Sequence, residues 1–217
     1  MSPKKQLLDF VETASEPLLV MVKTNDFSDI EKFYGFKLSQ NIAEKFADEL
    51  FELMPKHLDF NKFLNLGNGE YIFAQDIGVD SNEYMDSLVD ELKDLQKSVN
   101  TLKIDVGEID YDISVVISIA SGKECVENVF YGVKALEENK QDVIVANNLA
   151  KKEQEKAQNN LKVLKMIKRA LQNSNIISHF QPIVSNKTLD IVKYESLVRL
   201  IDEDNNVILP FSFLDNI

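Results

Sequence analysis

The sequence contains no tryptophan, one cysteine, seven glycines and five prolines in 217 residues. The lone thiol, Cys125, excludes an internal disulfide and fits a reducing compartment. So little glycine and proline excludes collagen-like and low-complexity chains, and thirteen phenylalanines beside that scarcity point to a folded protein of helices and sheet. Positive charge is also short: 24 Lys and Arg stand against 36 Asp and Glu, a net of −12. That balance argues against a nucleic-acid backbone as principal partner, because phosphate binding needs clustered cations. Long hydrophobic runs are missing too. The strongest, Leu18-Leu19-Val20-Met21-Val22, falls far short of the roughly 20 apolar residues of a membrane helix and reads as a buried strand. The charged start, Lys4 and Lys5, is followed by Asp9, Glu12 and Glu16 rather than an apolar stretch, so no targeting signal is visible. A cytoplasmic setting is expected, with a membrane tether through upstream sequence left open.

What is present suffices for a core: 44% of residues are hydrophobic and 28% charged. Periodicity predicts helices over 4–14, 26–33 and about 42–54, the last from Ile42, Phe46, Leu50, Phe51 and Met54 at helical spacing. Strands are predicted over 18–23, 60–66 and 70–75. The last two are joined at Gly67-Asn68-Gly69, a hairpin signal because these residues tolerate positive φ. Met85, Leu88, Val89, Leu92, Leu95 and Val99 mark another amphipathic helix. A strand over 110–121, a helix over 123–138 and a short strand over 142–146 follow. This order fits an α+β domain, a mixed sheet flanked by helices, over residues 1–147. Residues 148–175 read as a long linker helix, polar in its first half and striped by Leu161, Leu164, Ile167 and Leu171 in its second. Residues 151–175 hold seven Lys or Arg and two Glu, a net of +5. A solvated linker face is the plainer account of that charge and a docking surface the other.

Ser2 to Leu8, Leu18 to Val22 with Phe27, Tyr34-Gly35, the hairpin Gly67-Asn68-Gly69-Glu70-Tyr71 and Val116 to Ala120 follow one another along the first domain. In that order they resemble a GGDEF domain, the module that makes cyclic di-GMP. The resemblance implies a nucleotide-cyclase, ferredoxin-like sheet. It also implies two divalent cations held between an acid ending the first strand and an acid in the hairpin. Lys23 stands where the first acid belongs, and an ammonium offers a magnesium ion no ligand. Gly69 replaces the first hairpin acid, leaving Glu70 as a residual, unused one, and Asn68 stands where the family has glycine. Glu31 and Gln40 occupy the guanine-reading positions, and Leu58-Asp59-Phe60-Asn61 lacks the Arg-x-x-Asp of product inhibition. The expectation is no cyclase activity and a regulatory role. A tight Asn-Gly turn without any ligand is the plain alternative for the hairpin.

Residues 176–217 carry Phe180-Gln181-Pro182-Ile183-Val184, Tyr194-Glu195-Ser196-Leu197-Val198-Arg199 and Pro210-Phe211-Ser212-Phe213. These resemble the opening of an EAL domain, a (β/α) barrel that hydrolyses cyclic di-GMP. The resemblance implies that Glu195 is a metal ligand (Mg or Mn) at a strand end, that Arg199 meets a phosphate of the dinucleotide, and that Gln181 touches it. Ser196 departs from the name-giving alanine. An ordinary hairpin with an exposed Glu and Arg is the alternative. A barrel needs roughly 250 residues and only about forty follow the linker, so the remainder of this domain is an expected partner. No complete catalytic set and no cofactor are expected within the chain itself. Unpaired strand edges and an apolar face also make a homodimer an option. Two functions follow: an inactive GGDEF module regulating a phosphodiesterase, or a receptor or scaffold with both modules degenerate. A third, a ferredoxin-like nucleic-acid binder, is opposed by the acidic charge.

Overall fold

The computed structural model describes residues 1–78, 82–105 and 110–214. The chain divides into two compact units, Met1–Lys151 and Lys152–Ile217, of which Asp215–Ile217 lie outside the described residues.

In the first unit a five-stranded sheet runs β2-β3-β1-β6-β7. These are β1 (Pro17–Thr24), β2 (Lys62–Gly67), β3 (Glu70–Asp76), β6 (Val115–Ser121) and β7 (Val143–Val145). All neighbours are antiparallel except β6 and β7. The central β1 is buried on both faces, which is why its sequence is a continuous apolar run. Its alternate residues divide two cores. Leu18, Val20 and Val22 pack with α2 (Phe27–Tyr34), α3 (Phe36–Leu53) and α4 (Asn82–Val99). Leu19 and Met21 pack with α1 (Pro3–Thr13) and α5 (Cys125–Asn139). Burial of each such side chain stabilises by about 1.5–3 kcal/mol.

The entry into β1 is fastened by charge. Lys123 donates from Nζ to the carbonyls of Val11 at 3.0 Å and Ala14 at 2.5 Å, putting a cation on the otherwise unsatisfied end of α1. Asp76, at the end of β3, accepts from the backbone N–H of Ser15 at 2.7 Å and of Glu16 at 2.8 Å. Those bonds hold its carboxyl down at about 2. On the same side of the sheet as α1, α5 lies very close to β6. A Cβ on Gly132 would sit 2.0 Å from the Ser118 hydroxyl oxygen and 2.7 Å from the Ala146 Cβ. Ser118 is fully buried there, with no hydrogen-bond partner for its hydroxyl among the described residues. Cys125 is buried at the start of α5, and burial pushes its thiol up to about 12, which makes it unreactive.

One predicted element divides. The expected strand over 110–121 is two strands: β5 (Asp110–Asp112) pairs with β4 (Lys103–Asp105) as a separate ribbon, and only β6 joins the main sheet. The break falls where Asn25 takes the Ser114 carbonyl (N–H to O, 2.9 Å) and hydroxyl (Nδ2 to Oγ, 3.1 Å), so β1 has no further ladder to offer.

The second unit begins within α6 (Leu149–Gln172) and adds a three-stranded antiparallel sheet ordered β10-β9-β8. Its strands are β8 (Ile176–Val184), β9 (Ile191–Ile201) and β10 (Val207–Ile208), followed by a 3-10 turn at Pro210–Ser212. Its small core joins Val163 and Ala170 to Leu200 and Phe213, with Met166, Ile167 and Ile208 partly buried around them. This corrects the expected apolar stripe. Ile167 packs, but Leu161, Leu164 and Leu171 are exposed, because Val163 and the small Ala170 let the sheet approach on the neighbouring face.

Candidate functional site

The candidate site is the corner where the end of β1 meets the β2–β3 hairpin. Gly67, Asn68 and Gly69 all have positive φ, at 87°, 54° and 73°. Asn65 Oδ1 braces the turn by accepting from Gly67 N–H at 2.9 Å, next to a register shift in the ladder. Gly69 is held against β1: its carbonyl accepts from Thr24 N–H at 2.8 Å. A Cβ at this position would meet Phe27 Cδ2 and Thr24 Cβ, each at 3.0 Å. A side chain at residue 69 would therefore sit in a strained conformation and press on Phe27 and Thr24.

The register pairs Lys23 with Glu70 across β1 and β3. Lys23 does not turn its ammonium to an open site. It forms an ion pair of 2.8 Å with Glu137 of α5, an acid that sequence reasoning missed. Because the two lie 114 positions apart in the chain, no local pattern marks this pair. Glu70 is half-buried, and that burial raises its carboxyl above the ordinary range, Lys23 and Lys4 opposing the shift and Glu137 adding to it. Behind the hairpin, buried Tyr71 donates its hydroxyl to the Ala43 carbonyl at 2.9 Å and stacks edge-on against Phe46, which locks β3 to α3. Its phenol is pushed up by burial.

Beside the Lys23–Glu137 pair lies a cleft of about 510 Å³ lined by Asn25, Asp26, Ser114, Glu137, Lys140 and Asp142, among others. Three acids and one cation on that wall favour no polyphosphate. The donor set does not fit a divalent ion either. Where two hard anionic ligands would converge there is one half-buried acid, Glu70, across from an ammonium already neutralised by a second acid. Among the described residues no three His, Cys, Asp or Glu side chains gather as a metal-ligand group. Glu31 lies in α2 and Gln40 in α3, and Asn68 is exposed at the tip of the turn.

In the second unit the β8–β9 ladder sets Gln181 opposite Glu195 and Ile177 opposite Arg199. Glu195 and Arg199 are four apart on one strand and so share a face of the sheet. Gln181 and Glu195 are exposed, and Arg199 is half-buried with its guanidinium donating to the Val198 carbonyl at 2.8 Å. A second cleft of about 320 Å³ lies between α6 and the turn after β9. There Arg169 meets Glu203 at 2.7 Å, and Asp202 ties its own turn by accepting from the N–H groups of Asp204 and Asn206. No helix among the described residues is long and apolar enough to cross a membrane.

No protein-family model matches the sequence, and no curated protein matches it. Solved structures do. The diguanylate cyclase SiaD of Pseudomonas aeruginosa, determined with its activator SiaC, aligns over 65% of this chain and 56% of its own, at 13% identity and a TM-score of 0.52. The GGDEF domain of DgcB from Caulobacter crescentus, bound to c-di-GMP, aligns over 65% and 84% at 13% identity and a TM-score of 0.49. The S helix-GGDEF-EAL portion of Vibrio cholerae LapD, bound to c-di-GMP, aligns over 98% and 49% at 9% identity and a TM-score of 0.47. The chain thus spans little more than half of the SiaD chain it matches. At such identities the likeness is one of fold, and it gives the protein a GGDEF-like fold, a mixed sheet flanked by helices.

Proposed function

We propose that the chain is part of a cyclic di-GMP signalling protein whose GGDEF-like unit does not synthesise the messenger but regulates what is attached to it. One observation carries this reading: Lys23, at the end of β1 and in register with Glu70, is neutralised within the protein by Glu137. Phosphoryl transfer depends on metal ions that draw off negative charge and align the reacting groups. With an ammonium paired within the protein in that corner and a side chain at position 69 disfavoured, the corner is a structural joint between β1, the hairpin and α5. Residues 176–214 are read as the opening of an EAL-type barrel. In that reading Glu195 is one oxygen ligand of a Mg or Mn ion completed by acids elsewhere, Gln181 and Arg199 face the dinucleotide, and the attached reaction is hydrolysis of cyclic di-GMP. The exposed cross-strand placement of Gln181 and Glu195 supports this assignment.

The test is chromatographic. Purified chain incubated with GTP and magnesium or manganese is expected to yield no cyclic di-GMP above a protein-free blank. Formation of the messenger, lost in Glu70→Gln, would overturn the reading. A second reading, a receptor or scaffold with both modules degenerate, is favoured by the net acidic lining of the cleft beside Lys23. Hydrolysis of cyclic di-GMP by a chain carrying the complete barrel separates the two: turnover supports the first, and its absence, with or without binding, supports the second.

A further inference from the structure

The cleft between α6 and the turn after β9 lies wholly within the second unit and holds about 320 Å³, enough for a small organic molecule. Its apolar lining comes from Met166, Ala170 and Ile201. Lys162, Lys165 and Arg169 line it from α6, and Asp202, Glu203 and Asp204 line it from the turn. These six charges do not simply cancel. Arg169 and Glu203 join the two walls at 2.7 Å. Asp202 is engaged by its own turn. It accepts from the N–H groups of Asp204 at 2.9 Å and Asn206 at 2.7 Å and from the Asn206 side-chain amide at 3.0 Å, which fixes the backbone that carries Asp204. Lys162, Lys165 and the Asp204 carboxylate are left without an ion pair or side-chain hydrogen bond among the described residues.

We propose that this cleft binds a small amino dicarboxylate, its two carboxylates met by Lys162 and Lys165 and its ammonium by Asp204. Charge selects the class of ligand. Two unpaired cations beside one unpaired anion match a molecule with two negative groups and one positive. A plain dicarboxylate would leave Asp204 facing like charge, and a plain amine would meet two ammonium groups that repel it. The apolar lining suits the short methylene chain between such charged ends. Bound there, the molecule joins α6 to the end of β9. The unit's own core is small, Val163 and Ala170 against Leu200 and Phe213, so this bridge adds to what holds the helix on the sheet. The side chains that meet the ligand are exposed to water, which weakens each contact and sets the affinity in the roughly millimolar range.

The test is amide NMR of the whole isotope-labelled chain titrated with L-glutamate at low ionic strength, where surface charges are least screened. Saturable shifts confined to residues 162–175 and 200–206 are expected, half complete at roughly 1 mM. Glutarate, the same dicarboxylate without the ammonium, is expected to bind at least about fivefold more weakly. Lys162→Gln with Lys165→Gln should weaken glutamate at least about tenfold, and Asp204→Asn should bring glutamate down to the level of glutarate while glutarate itself is not weakened. All three side chains are exposed, and an amide spectrum otherwise unchanged from wild type certifies the fold. No saturable shift up to about 50 mM glutamate overturns the proposal. So do shifts centred elsewhere in the chain, equal binding of glutarate by the wild type, or a glutamate affinity indifferent to these substitutions.

Discussion

β1 and β8 are two apolar strands of similar length with opposite fates. In β1 the residues Leu18 to Val22 are completely buried, with strands on both edges and helices on both faces. In β8 almost every residue is exposed, Phe180 at 66% included, as is most of the central β9, because the small core of this unit gathers around Leu200 and leaves the rest of the sheet's faces uncovered within the unit. An apolar alternation records that a strand is meant to be covered. It does not record whether the cover lies in the same unit. The first unit carries its own cover, and the second leaves β8 uncovered within itself.

The largest effects should therefore separate the two units. Phe46→Ala in α3 is expected to cost about 3–5 kcal/mol, from a fully buried ring lost beside Tyr71, whereas Phe180→Ala should change stability by less than about 0.5 kcal/mol. Urea denaturation of the whole chain measures both, and an equal cost for the two would show that β8 is covered. Gly132→Ala comes next at about 1–3 kcal/mol, because the new methyl would press on the Ser118 hydroxyl and Ala146 at the α5–β6 contact. The lysines extend the comparison. Lys123→Met should cost about 1 kcal/mol by freeing the carbonyls that end α1, and Lys165→Met, with no partner to lose, should be near neutral to stability.

The smallest effect is a pH dependence. Asp76 has its carboxyl lowered by the Glu16 and Ser15 N–H groups to about 2 in the folded state. A carboxyl depressed on folding contributes fully above its unfolded value, near 4, and the contribution is lost as pH falls through about 2. Wild type should exceed Asp76→Asn in urea midpoint at neutral pH, and the difference should close between roughly pH 4 and pH 2. A difference constant across that window would mean that Asp76 does not act as a charged acceptor.

The same contrast sorts what the sequence made legible. The centre of β1, the Asn-Gly hairpin and the amphipathic helices were readable because each is a local pattern with one physical solution. The division of 110–121 was not, since Tyr111 and Val115 to Ala120 share one apolar character and only Asn25, almost ninety positions earlier, stops the ladder at Ser114. Nor was the buried face of α6. The leucines are the more hydrophobic choice, yet the smaller Val163 and Ala170 allow the closer approach. At the candidate corner the place of Lys23 at the end of β1 was visible, but Glu137, which gives that lysine its partner, was not. Long-range pairing decides such details and leaves no periodic trace.

The most direct measurement of the central claim is electron paramagnetic resonance of Mn²⁺ titrated with the chain in the presence of GTP. If the Lys23 ammonium, held by Glu137 and facing Glu70, stands where a cation would, the free-ion signal should equal that of Mn²⁺ and GTP alone at every protein concentration. A signal quenched in proportion to the protein, and restored by Glu70→Gln, would contradict the account.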